Sequence, residues 1–339
     1  MKIFIPMAGK GTRLRPFTLT CPKPLINVLD KPIVEHLIDQ ITSKVKSNID
    51  EIVYILGDES YFNAEVVNSL NLISEKYNAK TKIYRQLEQL GTGHAIMCAE
   101  ESLSGPSIIA YADTMIQGNI EIDTQVDGIM WVKKVDNPSA YGVVNLDNEN
   151  KITELIEKPA EFISDLAVVG IYYFKEAANL RGHLRKHLSE KLSPGKEYLL
   201  NYGIEKMIKN GDSFIPKEID VWMDCGTPEL LLNSTKIIMD TYYDNINDNI
   251  AFDKDVVINS PVFIGKNVKI QNSTIGPYVS IGDNCKIQNT KINNTIIFKD
   301  VKINNTDIDN SIIGTNSLYE GSGSGIFLGD NTKSINNEA

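Results

Sequence analysis

A mostly parallel α/β layer followed by a parallel β-helix is the fold this sequence predicts, on three observations. Over residues 1 to about 243, short apolar runs alternate with amphipathic stretches. From Ile258 onward, isoleucine recurs every five or six residues. Between these regions lies the polar run "DNINDN", Asp244 to Asn249, which reads as a linker. The expected domains are therefore 1–243 and 250–332.

In the first region, "KIFIP", "EIVYILG", "KIYRQ" and "SIIAYAD" are short and apolar, as strands covered on both faces are. "IVEHLIDQI" places Ile33, Leu37 and Ile41 at helical spacing, and "TGHAIMCAEESL" reads as another helix. Strand, helix, strand, helix is the order of a doubly wound sheet. "YGVVNLDNENKITELIEKP" breaks that order, and Asp147 to Asn150 supply a turn between two antiparallel strands. "DCGTPELLLNSTKIIMDTYY" reads as a closing helix, with Thr227 as N-cap and Pro228 at the first helical position.

The second region puts isoleucine at 258, 264, 270, 275, 281, 287, 292, 297, 303, 308 and 313. Those steps suit neither a helix nor a hairpin sheet. One inward side chain per five or six residues means short strands turning corners around a stacked core. Gly265, Gly276, Gly282 and Gly314, with abundant asparagine, supply corner residues that tolerate left-handed backbone. From about Lys333 the chain reads as a frayed tail.

Composition narrows the functions. The 339 residues suit two domains, and 42% apolar content supports a core. A net charge of −10 argues against nucleic acid as a partner. Cys21, Cys98, Cys225 and Cys285 lie far apart with no C-x-x-C pair, which fits a reducing compartment and neither zinc nor a disulfide framework. No apolar run approaches the ~20 residues of a membrane span, and "KIFIPMAG" lacks a cleavage site. A soluble, cytoplasmic protein is expected.

Against that acidic background, Lys10 to Lys31 holds five cations and one acid, Asp30. A local reversal of sign suggests a small anionic ligand. "AGKGTRLRP" is not a P-loop, because Phe4 stands where its first glycine belongs and Gly11 replaces the Ser/Thr. Nor is it a dinucleotide fingerprint, because Leu14 stands at the third glycine. Glycines that let backbone N–H groups close on phosphate, and cations that offset its charge, remain.

The whole stretch "MAGKGTRLRPFTLTCPKPL" resembles the signature of the sugar-1-phosphate nucleotidyltransferases. "QLEQLGTGHAI", "YADTM", "YGVV", "EKP" and "WMDCGT" extend the resemblance over roughly residues 1 to 240. It implies a Rossmann-like catalytic domain, and a left-handed β-helix for the isoleucine repeat. It also implies in-line attack by a sugar 1-phosphate on the α-phosphorus of a nucleoside triphosphate, releasing pyrophosphate. By this resemblance Ala8, Gly9, Gly11 and Thr12 would bind nucleotide with Gln86 and Gly91, which read the base. Arg13 would hold the phosphates and Lys23 would stabilise charge on the α-phosphate. Asp113 and Asp224 would bind Mg2+, and Gly142, Glu157, Lys158 and Val168 would contact the sugar phosphate. His94 and Cys225 read as structural. Asp165, Asn201 and Tyr202 depart from the family pattern and bear on which sugar is accepted.

The segment from Gln86 through "GTGHA" favours dTTP or UTP over GTP, with glucose 1-phosphate as the default sugar. A homo-oligomer is expected. A non-catalytic regulatory subunit that binds nucleotide sugars is the alternative, although Arg13, Lys23, Asp113 and Asp224 are all retained. Acyltransfer by the repeat needs a base, and all four histidines (36, 94, 183 and 187) precede it. The repeat is therefore expected to be structural, and cutting the linker to leave a folded first domain able to bind its ligands.

Overall fold

The structure, a computed structural model, describes residues 1–45, 47–118, 120–242 and 254–335. The linker residues Asp244 to Asn249 lie outside the described residues. Two compact units account for the chain. The first comprises Met1–Gly9 and Val34–Trp222, and the second Lys10–Ile33 with the chain from Met223 onward. The segment that carries the signature cations thus belongs with the repeat region.

The first unit is built on a nine-stranded sheet. Its first two strands in the chain are β1 (Lys2–Pro6) and, after the two-residue strands β2 (Asn27–Val28) and β3 (Lys31–Pro32) of the second unit, β4 (Glu51–Leu56). β5 (Lys80–Arg85), β6 (Ser107–Ala110), β7 (Thr114–Gln117), β8 (Gly128–Lys134), β9 (Gly142–Leu146) and β10 (Ile152–Glu157) follow. β11 (Leu166–Phe174) and β12 (Phe214–Glu218) complete the nine, while β7 lies outside them and shares a two-stranded sheet with β13 (Val221–Asp224). β1 pairs in parallel with β4 and β6, and β4 with β5. Those three pairings hold the apolar runs that read as doubly buried: Phe4, Val53 and Ile109 are each 0% exposed. β9 and β10 form the expected antiparallel hairpin, and the Asp147 carboxylate accepts from the N–H groups of Glu149 and Lys151 at its turn.

What periodicity did not reveal is β11, which runs antiparallel to β6, β8 and β9. Its run "LAVVGIYYF" is apolar throughout, and an all-apolar strand carries no mark of direction. Helices α1 (Ile33–Thr42), α2 (Ala64–Lys76), α3 (Thr92–Cys98), α4 (Ala177–Leu188) and α5 (Leu200–Lys209) complete the first unit. α3 is shorter than "TGHAIMCAEESL" suggests, because residues 99–102 turn and Ser102 is buried at its hydroxyl contact with Tyr84.

In the second unit α6 (Pro228–Tyr242) starts as predicted, with Leu230 N–H donating to Thr227 Oγ1 at 3.3 Å. Such a cap is worth about 1 kcal/mol. Beyond it, short strands form two parallel stacks. One runs Val256–Ile258, Lys269–Ile275, Lys286–Ile292, Lys302–Asp309, Leu318–Glu320 and Lys333–Ile335. The other runs Val262–Ile264, Val279–Ile281, Thr295–Ile297, Ser311–Ile313 and Phe327–Leu328. Ile275, Ile287, Ile292, Ile303 and Ile313 point into one core at 0–1% exposure. Fully burying each is worth about 1.5–3 kcal/mol, so the column is the main stabilising feature of the stacks. Corner asparagines with positive φ (Asn267, Asn272, Asn284 and Asn289 among them) hydrogen-bond level to level, 15 to 17 residues apart. Lys333–Ile335 pairs with Leu318–Glu320 and so does not fray.

Candidate active site

Each unit carries part of the set of candidate residues. In the first, β1 runs out at Pro6, and Met7 N–H donates to the Ile55 carbonyl at 2.9 Å. The Ala8 carbonyl accepts from Gln89 Nε2 at 3.0 Å. A Cβ on Gly57 would sit 2.8 Å from that carbonyl, so glycine there permits the close approach. Gly9 faces open space, and a Cβ on it would meet nothing within 4 Å.

Gln86 follows β5 and is 6% exposed. Its Nε2 lies 3.0 Å from the Gly91 carbonyl and 3.0 Å from His94 Nδ1. A carbonyl can only accept, so the amide nitrogen must face Gly91. Both amide hydrogens are then engaged, and Oε1 is the acceptor that remains for another group. Burial lowers the His94 pKa from its ordinary value of 6.5, which keeps the ring neutral and Nδ1 able to accept. Gly91 has φ +111°, and a Cβ there would meet the Tyr198 carbonyl at 2.7 Å. The backbone needs glycine at this position.

Gly142, Glu157 and Asn201 meet at one point in the first unit. A Cβ on Gly142 would lie 3.1 Å from both Glu157 Oε2 and Asn201 Nδ2. Asn201 Nδ2 donates to Glu157 Oε2 at 2.7 Å, and Tyr172 OH donates to Asn201 Oδ1 at 3.2 Å. The Tyr111 and Tyr172 rings pack edge to face, centroids 6.0 Å apart. Burial pushes the Tyr111 hydroxyl up to about 12, and the charges of Glu157 and Asp113 add to the rise. Asp113 itself lies in a turn, closed by Thr114 N–H donating to the Tyr111 carbonyl at 3.2 Å. Lys158 takes φ +45° after β10, with its N–H on the Tyr141 carbonyl at 3.0 Å. Val168 is 8% exposed and packs in the core, and Asp165 is exposed.

In the second unit the signature segment is a string of short 3₁₀ turns, Thr12–Leu14, Phe17–Leu19 and Lys23–Leu25. Gly11 caps the first with φ +60°, and a Cβ there would lie 3.0 Å from Lys23 Cβ and 3.0 Å from Thr18 Cγ2. The Gly11 carbonyl accepts from Thr18 Oγ1 at 2.8 Å. Thr12 and Arg13 are exposed, while Lys23 is 7% exposed. Asp224 ends β13. A Cβ on Gly226 would lie 2.9 Å from Asp224 Oδ1 and 3.4 Å from Arg13 Nη2, so carboxylate and guanidinium flank the same bare backbone. Cys225 between them is 0% exposed, as a packing residue should be.

A mostly parallel sheet with a glycine- and cation-bearing segment after its first strand has the design of a phosphate-handling α/β protein. Comparison with known families sharpens this: the nucleotidyl transferase family model matches residues 4–241, and the chain belongs to that family. Residues 258–322 match a second model, described as the GMPPB C-terminal domain. The bifunctional protein GlmU of Methanococcus aeolicus is 32% identical over 275 residues, which are 80% of this chain and 62% of that protein. Glucose-1-phosphate thymidylyltransferase of Streptomyces antibioticus is 28% identical over 289 residues, 82% of this chain and 77% of that one. A solved structure described as a glucose-1-phosphate thymidylyltransferase from Bacillus anthracis superposes with a TM-score of 0.59 at 23% identity, covering 75% of this chain and 98% of that one. The first GlmU relatives are longer, and the chain spans 57% to 62% of their length.

Sequence reading passed over Tyr111 and Tyr172, took His94 as structural, and recorded Asn201 only as a departure. The signal available for Tyr111 was its place inside "YADTM", one turn before the acid. The other three are brought in by contacts across 8 to 44 positions, which no local pattern encodes. Among the described residues no group of three or more His, Cys, Asp or Glu is arranged to hold a metal, and no helix is long and apolar enough to cross a membrane.

Proposed function

We propose that this protein transfers a nucleotidyl group from a nucleoside triphosphate to a hexose 1-phosphate, releasing pyrophosphate. dTTP or UTP and glucose 1-phosphate are the favoured substrates. The observation that carries the reading is the placing of Arg13 and Asp224 about Gly226, a cation for phosphate beside a carboxylate for metal. In this reading Ala8, Gly9, Gly11 and Thr12 present backbone to the phosphates, and Lys23 offsets charge on the α-phosphate. Gly142, Glu157, Lys158 and Val168 line the sugar-phosphate site. Asp113 and Asp224 supply the hard oxygen ligands that Mg2+ takes, and phosphate oxygens would complete its shell, so a site of few protein ligands fits. The metal's chemistry, when bound, is to neutralise charge on the phosphates.

The fixed orientation of Gln86 supports the choice of base. Its Oε1 is an acceptor and suits a ring N–H, which thymine, uracil and guanine carry and cytosine and adenine lack. We further propose a catalytic region over 1–243, a left-handed β-helix over 250–332, a homo-oligomer and a cytoplasmic location. Pyrophosphate release over a panel of triphosphates and sugar 1-phosphates tests the reading. Activity with no pair of the panel would sink it.

Two further results are expected. Lys158→Ala should raise KM for the sugar phosphate about tenfold and leave that for the triphosphate within about twofold, because it touches one anion only. Equal rises in both would count against the division of labour. The second concerns pH. The folded-state pKa of His94 lies below its ordinary 6.5, so the neutral ring and its bond to Gln86 are fully present above that value. They are lost as pH falls through the lowered pKa. KM for the triphosphate should therefore rise on the acid side in the wild type more than in His94→Asn. Superimposable profiles would remove His94 from base recognition.

A further inference from the structure

The second stack of strands repeats one position at each corner, the residue after the inward apolar one. Read level by level this column is Gly265, Gly282, Phe298, Gly314 and Gly329. Glycine has a steric reason there. A Cβ on Gly265 would sit 2.5 Å from Asp283 Oδ1, one on Gly282 2.8 Å from Lys299 N, and one on Gly314 2.5 Å from Asp330 N. Phe298 is the exception, and the core does not need it, since it lies outside the column of buried isoleucines.

Phe298 instead meets the signature segment. Its ring packs edge-to-face on Phe17, centroids 5.9 Å apart, and Phe17 is 1% exposed. Near it, a Cβ on Gly329 would lie 3.0 Å from Pro16 Cβ. Thr20 Oγ1 donates to Asp330 Oδ2 at 2.5 Å, while Asp330 Oδ1 accepts from Thr315 N–H at 2.7 Å. Asp330 is thus anchored in the stack and reaches out from it. Three contacts, at Pro16, Phe17 and Thr20, fall between Arg13 and Lys23. Inside the segment, Thr18 Oγ1 holds the Gly11 carbonyl, and the Gly11 backbone abuts Lys23, so a shift at 16–20 reaches both cations.

We infer that Phe298 and Asp330 are positioning residues, which hold the segment bearing Arg13 and Lys23 in its phosphate-binding shape. This deepens the proposed function and rests on it. The repeat then contributes to turnover without supplying a catalytic group, and removing it would free the segment as well as alter assembly.

The test uses the full chain. Phe298→Gly installs the residue that the other four levels carry, so the stack retains its shape. Thr20→Val removes only the hydroxyl that Asp330 accepts. Both are expected to raise KM for the triphosphate about tenfold, to leave KM for the sugar phosphate within about twofold, and to keep the melting temperature. Amide exchange at Leu14, Leu19 and Ile26, whose N–H groups close the three turns, should quicken about tenfold in Phe298→Gly. Unchanged exchange together with unchanged constants would overturn the inference. So would a loss of turnover that only follows the fraction unfolded, with KM unaltered. A wild-type protein inactive across the substrate panel sinks the proposed function instead, and exchange at the three turns still decides whether the brace exists.

Discussion

Asp224→Asn is expected to lower pyrophosphate release about 10²-fold or more, the scale on which one preorganised electrostatic group counts. The substitution keeps the side chain's shape and removes its charge. Asp224 sits at the end of β13, and its carboxylate and the Arg13 guanidinium flank Gly226, so in the proposed reaction phosphate oxygens held by Arg13 would lie beside the acid. Without the charge, a hard divalent cation loses one of its few protein ligands. Arg13 meanwhile loses a neighbouring negative charge and should bind phosphate no more weakly. The expected signature is thus a collapse of kcat with KM for the triphosphate unchanged or lowered. Circular dichroism should be that of the wild type, since the residue is only partly buried. A variant within about threefold of wild-type turnover at saturating Mg2+ would withdraw Asp224 from the metal site.

Lys23→Met should cost a similar factor, about 10²-fold in kcat, for a different reason. Lys23 is 7% exposed within the turn Lys23–Leu25, whose closing bond runs from Ile26 N–H to the Lys23 carbonyl at 3.1 Å. Methionine fills nearly the same space along the stem. What is lost, in the proposed reaction, is a fixed positive charge for the α-phosphate. Lys23→Arg should not restore activity, because a planar guanidinium does not reproduce the compact point charge of an ammonium. Full turnover in Lys23→Met would assign the charge-stabilising role elsewhere, with Arg13 the first candidate.

How much of this was readable in one dimension depends on the range of the contacts. The parallel core of β1, β4, β5 and β6 was legible because each strand is a short apolar run between turn residues. The start of α6 was legible because Thr227 and Pro228 act within one turn. Corner asparagines and glycines marked the repeat, since left-handed backbone selects them locally. The direction of β11 was not legible, nor was the end of α3, where packing of Ser102 outweighs helical spacing. At the site, the signature residues declared themselves by type and spacing. His94 beside Gln86, and Asn201 between Tyr172 and Glu157, did not, because those meetings join different elements.

The sequence by itself determined the α/β order and the isoleucine column, which follow from periodicity and local backbone preference, and offered the residue types of a candidate phosphate site. The tertiary structure alone decided where residues 10–33 belong. By spacing they are the loop after β1, part of the first domain. By contact they join the repeat, through Phe17 on Phe298 and Thr20 on Asp330, hundreds of positions away. The reason is that burial and hydrogen bonding reward proximity in space, whereas a pattern along the chain records only which face a residue would turn toward whatever covers it. The odd phenylalanine in a glycine column was visible throughout, and its partner was not.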